Sequence, residues 1–252
     1  MNCDAIEAAA ERCRGHVRET PLLSSPRLDA ALGRRVLVKA ECLQYTGSFK
    51  YRGAWASLSA LTGPEREAGV VAYSSGNHGQ AVARAAQRLG VPAVIIMPRD
   101  APAPKIANTR AYGAEVVLYD RVTGSREALG ERFRDERGLT LIKPYDAELT
   151  IDGQGTAGLE IARQAQALGI DEADVLVCCG GGGLASGIAL ALERHAPGLR
   201  VRPCEPAGFD DTTRSLAAGH RLANAADAES ICDALLTPTP GALTFPILQA
   251  HA

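Results

Sequence analysis

Short apolar runs alternate along the chain with longer segments whose apolar residues recur every three or four positions. The short runs predict strands, and the periodic segments predict amphipathic helices. The predicted strands cover residues 36–42, 69–73, 93–97, 115–119, 139–143, 175–179 and 199–205. The predicted helices cover residues 4–14, 48–61, 78–89, 104–112, 124–137, 154–168 and 184–195. Nearly continuous apolar strands alternating with helices are typical of an α/β fold, with mainly parallel sheets and helices on both faces.

Polar residues mark the ends of two of these helices. Asp4, with Glu7 three residues later, predicts the start of the first helix, and Gly15 lies just beyond its end. Asn77 is predicted to cap the helix that follows it.

Residues 175–192 carry no charge and are long enough to suggest a transmembrane helix. Four consecutive glycines interrupt this stretch at positions 180–183. Because each glycine costs about 1 kcal/mol against alanine inside a helix, the segment instead predicts a strand, a glycine loop and a helix.

Composition narrows the functional class. The 252 residues are 46% apolar and 22% charged, which excludes a disordered chain. Lys and Arg total 27 against 29 acidic residues, for a net charge of -2, so neither a nucleic-acid nor a membrane partner is expected. The seven cysteines form no C-x-x-C pair and predict buried, reduced thiols. With no secretory signal visible at the N-terminus, a cytoplasmic protein is expected.

The glycine loop predicts an anion site. Backbone N–H groups and the helix dipole favour a phosphate where a strand passes through such a loop into a helix. Gly181, Gly183 and Gly187, followed by Glu205 at the end of the next strand, also approach the dinucleotide-binding pattern. A nicotinamide-dependent oxidoreductase therefore stays open at this point, as does a tight turn without a ligand.

Two further segments carry possible chemistry. Lys50, in Gly47-Ser48-Phe49-Lys50, lies in the first turn of a predicted helix, where the dipole disfavours a cation. It is either an ordinary surface lysine or a Schiff-base nucleophile with a lowered pKa. Residues 74–80, Ser-Ser-Gly-Asn-His-Gly-Gln, form another strand-to-helix junction, suited to binding a small carboxylate or simply to capping a helix.

Together the three segments resemble the pyridoxal-phosphate enzymes of the tryptophan-synthase-β fold (fold type II), and more narrowly the threonine/serine dehydratase and serine racemase family. The resemblance runs from about Thr20 to the chain end. It implies that Lys50 holds pyridoxal 5'-phosphate as a Schiff base, that Phe49 packs on the cofactor ring and that Asn77 hydrogen-bonds the 3′-oxygen. The phosphate would be held by Gly180, Gly181, Gly182, Gly183 and Leu184. The substrate carboxylate would be held by Ser74, Ser75, Asn77 and His78.

The resemblance also implies a reaction. The expected activity is dehydration and deamination of a β-hydroxy amino acid, threonine or serine by default, to a 2-oxo acid and ammonia, with Lys50 as a catalytic residue. Serine racemase is an alternative because Ser75 matches the second acid/base of the racemases. A 3-hydroxyaspartate dehydratase is another; Arg126 falls near a position that can reach the substrate side chain. A non-catalytic homologue also stays open.

The same resemblance implies an architecture and partners. A larger domain is expected from residues 1–68 and 147–252, and a smaller domain from residues 69–146. The expected partners are a small amino-acid substrate and a second copy of the chain in a homodimer. Family members continue beyond this chain's end, so the larger domain is expected to be C-terminally incomplete and to lack the residue opposite the pyridine nitrogen.

A divalent-cation site is a further implication. Glu205, Asp211 and the main-chain carbonyl of Phe209 match the cation site of the racemases and related dehydratases. Oxygen ligands of this kind suit Mg²⁺, Mn²⁺ or Ca²⁺. The alternative is that these acidic residues cap the next helix.

Overall fold

The computed structural model describes residues 2–74 and 76–252. The helices are α1 (Cys3–Cys13), α2 (Pro26–Leu32), α3 (Lys50–Ser59), α4 (Gly63–Ala68), α5 (Asn77–Leu89), α6 (Ala103–Ala111), α7 (Arg126–Arg137), α8 (Glu148–Ala167), α9 (Gly183–His195), α10 (Asp211–Ala218) and α11 (Thr244–His251). The strands are β1 (Leu22–Ser24), β2 (Leu37–Lys39), β3 (Val70–Tyr73), β4 (Ala93–Pro98), β5 (Glu115–Tyr119), β6 (Thr140–Leu141), β7 (Ala173–Cys178) and β8 (Leu199–Cys204). Short 3-10 turns occur at Glu41–Leu43, Tyr45–Gly47 and Asp233–Leu235.

The strands form three sheets. Four parallel strands in the order β5-β4-β3-β6 make the largest sheet, β7 and β8 make a parallel pair, and β1 and β2 make an antiparallel pair. The predicted α/β fold with mainly parallel sheets is thus confirmed. The largest sheet is built within the predicted smaller domain, while the domain division itself stays a prediction.

Helices cover both faces of the four-stranded sheet. Successive strand residues point to opposite faces. Ala72 and Ile95 accordingly belong to a core cluster shared with α3 and α5. Val71 and Ile96 belong to a second cluster that contains Phe133 of α7. Because helices cover both faces of the sheet, side chains on both sides of each strand are shielded from water, which explains why the strands are apolar almost throughout.

Close helix contacts depend on glycine. A Cβ at Gly187 of α9 would lie 2.6 Å from the backbone nitrogen of Gly155 on α8, and one at Gly153 would lie 2.6 Å from Cα of Gly53 on α3. Since real Cβ atoms do not approach so closely, the helices can pack at these distances only without side chains. Gly187, which fitted the dinucleotide pattern, therefore has a packing role.

Several local predictions were wrong. Asn2, not Asp4, caps α1, its Oδ1 accepting from the backbone N–H of Ala5 at 3.1 Å. Gly76, not Asn77, is the N-cap of α5. The predicted burial of cysteines holds only for Cys3, Cys13 and Cys179; the exposed ones are Cys42, Cys178, Cys204 and Cys232. The strand, glycine loop and helix predicted for residues 175–192 are observed, and no helix in the described residues is long and apolar enough to cross a bilayer.

Candidate active site

The segments singled out in the sequence meet at one cavity of about 540 Å³. Two strand-to-helix junctions, β3 to α5 and β7 to α9, open onto it together with the start of α3. The predicted site residues among its lining are Phe49, Lys50, Ser74, Asn77, His78, Arg126, Gly180, Gly181, Gly182, Gly183 and Leu184. The carboxyl ends of parallel strands are where α/β folds place ligands.

The other four predicted site residues fall into two groups. Ser75 lies outside the described residues. Glu205, Phe209 and Asp211 belong to the described chain but do not line the cavity.

Lys50 presents an amine whose protonation is easily lost. Its Nζ donates to the carbonyl oxygen of Pro144 at 2.6 Å and lies 5.2 Å from the ring centroid of Phe49. Burial lowers the pKa of Lys50 to about 8. An amine of that pKa is neutral in about one molecule in ten at pH 7, against about one in several thousand for an ordinary lysine. The free amine needed for attack on a carbonyl is therefore available.

The glycine loop (residues 180–183) is shaped by what packs against it. Gly182 has φ 89°, a conformation that L side chains rarely adopt. A Cβ at Gly181 would lie 2.2 Å from the Tyr145 ring. Thr244 Oγ1 donates to the carbonyl oxygen of Gly181 at 2.6 Å. The loop leads directly into α9, whose first N–H groups have no intrahelical partners.

His78 is a neutral imidazole. Its Nε2 is 2.9 Å from the carbonyl oxygen of Ile142, to which it must donate, and the residue is buried. Burial, reinforced by the charge of Lys50, lowers the pKa of His78 to about 3. Nδ1 finds no hydrogen-bond partner among residues 2–74 and 76–252. The side chain is therefore neutral and is not a cation for a carboxylate.

The first turn of α5 supplies donors instead. Asn77 and His78 open the helix, so their backbone N–H groups have no i−4 partner within it. Ser74 Oγ accepts from the N–H of Gly76, the N-cap of the helix, at 3.1 Å. A Cβ at Gly79 would lie 2.9 Å from Ile95, so glycine lets the helix start approach the sheet.

Two cations also reach the cavity wall. The Arg126 guanidinium lies 5.6 Å from the Tyr73 ring centroid, and its Nε donates to Glu127 at 2.7 Å. Lys105 Nζ lies 3.8 Å from an Asp233 carboxylate oxygen. Both charges are therefore partly compensated before any ligand enters.

The predicted cation ligands form a helix start. The Glu205 carboxylate accepts from the N–H groups of Thr212 and Thr213 at 2.8 and 2.9 Å, the capping role that the sequence left open. Asp211 Oδ1 accepts from Asn224 at 2.6 Å, whereas Oδ2, although buried, finds no partner in the described part of the chain.

Some cavity residues were missed from the sequence. Tyr145 and Lys105 come from loops or helices with no recognisable motif around them. Cys178 could have been found, because it is the last residue of β7 and lies two residues before the glycine loop. Cys178 lines the cavity.

These residues fit pyridoxal phosphate. The glycine loop has no room for side chains and offers helix N-terminal N–H groups, which suit a phosphate. Lys50 offers a readily deprotonated amine, which suits an aldehyde. Phe49 places an aromatic face near that amine. One cavity therefore offers a suitable partner for the phosphate, the aldehyde and the ring of pyridoxal phosphate.

Comparisons with known proteins agree with this fit. The model of the family described as pyridoxal-phosphate dependent enzymes matches residues 13–252. The chain is 44% identical to an L-threo-3-hydroxyaspartate ammonia-lyase from Pseudomonas sp., covering 98% of this chain and 76% of that protein. It is 40% identical to a serine racemase from Oryza sativa subsp. indica, covering 97% and 70%. The crystal structure of a threonine deaminase from T.th. superposes with a TM-score of 0.93 at 45% identity, covering 100% of this chain and 80% of that one. The chain therefore belongs to the family of pyridoxal-phosphate dependent enzymes.

Proposed function

We propose that this protein dehydrates and deaminates a β-hydroxy amino acid of the threonine/serine type, releasing a 2-oxo acid and ammonia. The observation that carries the proposal is the single cavity that collects Lys50, Asn77 and the glycine loop from three separate segments. Relatives named threonine deaminase, serine racemase and L-threo-3-hydroxyaspartate ammonia-lyase support the choice of a β-hydroxy amino acid.

The cofactor would be held by groups described above. N–H groups of the glycine loop and of the α9 start would bind the phosphate, Phe49 would pack on the ring, and the Asn77 amide would donate to the 3′-oxygen. When bound, pyridoxal phosphate supplies an electron sink for negative charge at the substrate Cα. The resident residues therefore have to bind, orient and move protons.

Lys50 would carry the cofactor and then act as the base. A lysine with a pKa near 8 has a neutral amine to take the substrate Cα proton and still returns it readily at neutral pH. The Pro144 carbonyl accepts from Nζ and so fixes the amine's direction.

The substrate carboxylate would be bound by backbone donors. The α5 start offers the N–H groups of Asn77 and His78 together with the positive end of the helix dipole. The His78 side chain contributes shape and not charge, because its imidazole is neutral.

A second candidate substrate is 3-hydroxyaspartate. A β-carboxylate needs a cation beyond those around the α-carboxylate, and Arg126 and Lys105 both line the cavity. Racemisation would need the second acid/base assigned to Ser75. A homodimer and a cytoplasmic location stay predictions.

We also propose that Glu205, Asp211 and the Phe209 carbonyl hold a divalent cation. The support is the buried, unpartnered Asp211 Oδ2 beside a carboxylate that already faces the same helix start, within the described residues. Mg²⁺, Mn²⁺ or Ca²⁺ should raise the melting temperature of the wild type and not of Asp211→Asn. Equal effects on both proteins would contradict the site.

The activity test uses tag-free protein loaded with pyridoxal phosphate. Release of 2-oxo acid and ammonia is measured with L-threonine, L-serine and L-threo-3-hydroxyaspartate, and D-serine formation is measured in parallel. Arg126→Gln should reduce turnover of 3-hydroxyaspartate more than that of threonine, because only the former has a second carboxylate. No 2-oxo acid from any substrate would refute the proposal, and D-serine formed faster than ammonia would favour a racemase.

Lys50→Ala should lose both turnover and the pyridoxyl-lysine peptide that borohydride reduction produces in the wild type. Lys143→Ala removes an exposed lysine close to the cavity and is the matched control. A reduced adduct on another lysine at wild-type stoichiometry would show that Lys50 is assigned wrongly.

A further inference from the structure

Three metal-ligating side chains meet on the outside of the molecule, away from the cavity. Cys3 and Glu7 lie one turn apart on α1, so both side chains share one face of the helix. His195 is the last residue of α9. Their Sγ, carboxylate and imidazole ligand atoms all lie within 4.8 Å of one another.

We propose that Cys3, Glu7 and His195 form a zinc site that ties the start of α1 to the end of α9. Cys3 Sγ is 3.8 Å from Glu7 Oε1, and His195 Nε2 is 2.8 Å from the same oxygen. In a tetrahedral site, Zn–S of about 2.3 Å and Zn–N or Zn–O of about 2.0 Å place S and O about 3.5 Å apart and N and O about 3.3 Å apart. Movements of about 0.5 Å would therefore convert the present contacts into ligand separations.

The ligand types favour zinc over harder cations. Thiolate and imidazole are preferred by zinc, whereas Mg²⁺ and Ca²⁺ take oxygen ligands. Cys3 is buried, but the side chains of Glu7 and His195 are 44% and 39% exposed, which leaves an open side for entry and for a water as fourth ligand. None of the three lines the cavity, so the site is separate from the one proposed for catalysis.

The charges around the three ligands set the conditions for binding. Arg194 lies 3.5 Å from Glu7 and opposes a second cation, but it is paired with Asp4 at 2.5 Å. Glu7 already accepts from His195, which lowers the carboxyl pKa and keeps it ionised. Burial raises the pKa of the Cys3 thiol, so zinc must displace a proton there.

Without zinc, Glu7 and His195 would form only an exposed hydrogen bond of little energetic consequence. The two interpretations differ in what happens when Zn²⁺ is added. Tag-free holoenzyme is dialysed against buffered Zn²⁺, bound metal is counted, and the coordination shell is measured by X-ray absorption. The wild type should bind one zinc with a sulfur neighbour at about 2.3 Å.

Cys3→Ser and His195→Gln should each weaken that binding by about tenfold or more, since loss of even indirect metal partners costs that much. Cys204→Ser and His220→Gln remove an exposed cysteine and an exposed histidine elsewhere and should bind zinc like the wild type. If Cys3→Ser folds poorly, as judged by melting in chelator, the surface variants Glu7→Gln and His195→Gln carry the test. Unchanged binding in these variants, loss in the control variants instead, or a shell without sulfur would overturn the proposal.

Discussion

Gly181→Ala tests whether the glycine loop must stay free of side chains. An added Cβ would lie 2.2, 2.3 and 2.5 Å from three atoms of the Tyr145 ring. Carbon atoms in contact are about 3.5–4.0 Å apart, so the ring or the loop must move by more than about 1 Å. Overpacking of this kind costs about 1–3 kcal/mol. The Gly181 carbonyl is held by Thr244, so we expect the loop's N–H groups to be displaced with the chain.

The displaced loop should bind the cofactor phosphate less well. A hydrogen bond to a charged group contributes about 1.5–3 kcal/mol, so displacing one loop N–H from the phosphate should weaken pyridoxal-phosphate affinity by about 10- to 150-fold, measurable by absorbance titration of the apoprotein. Gly63→Ala is the control, because Gly63 has open space around its Cβ position and an ordinary φ. In a Tyr145→Ala background the same Gly181→Ala change should cost far less, since the clashing ring is gone. Wild-type affinity in Gly181→Ala, or an equal loss in both backgrounds, would refute this reasoning.

Two further predictions concern stability. Asp152 is buried, its Oδ1 has no hydrogen-bond partner in the described chain, and burial raises its pKa from 3.8 to about 6. The folded state therefore holds the Asp152 proton more tightly than the unfolded state, so the free energy of unfolding falls as pH rises from about 4 to 6. Asp152→Asn should raise the free energy of unfolding, measured in urea, by about 1–3 kcal/mol at pH 8 and by little below pH 4. A gain of equal size at both pH values would contradict this. Arg52 is fully buried between Glu41 and Glu160. The substitution Arg52→Met should lower the free energy of unfolding by about 3–5 kcal/mol, because it leaves both carboxylates without their partner. Arg163 forms an exposed ion pair, and Arg163→Ala should lower the free energy of unfolding by less than about 1 kcal/mol. Comparable losses in the two variants would show that burial of the Arg52 ion pairs does not increase their contribution to stability.

Local periodicity predicted the helices and strands well where the local sequence, and not packing against distant segments, determines their ends. Residues 115–119 form a strand with the predicted bounds. Helix α8, in contrast, begins at residue 148 and not at 154. The Asp-Gly pair at positions 152–153 is typical of a turn, yet Gly153 lies inside the helix because α3 packs directly against it. That contact joins segments about 100 residues apart, and no local pattern shows it.

The residues of the candidate site likewise fall into those that local sequence predicts and those that only packing brings to the cavity. The strand-to-helix junctions could be read from sequence, because each combines a short apolar run with glycine, serine or asparagine at a helix start. Tyr145 and Lys105 could not, because they reach the cavity only through the packing of other segments. The neutral state of His78 likewise depends on burial and on the Ile142 carbonyl, 64 residues away in the chain.

The dinucleotide-like pattern shows how one sequence feature can have several physical causes. Its last glycine, Gly187, is needed for contact with α8, and its acidic residue, Glu205, accepts from the start of α10. Neither role requires a nucleotide. Lys50 is what the nicotinamide interpretation leaves unexplained: a lysine with a pKa near 8 that opens onto the same cavity as the glycine loop. A phosphate loop indicates only an anion, whereas a phosphate loop facing a neutral-prone amine indicates a phosphorylated aldehyde.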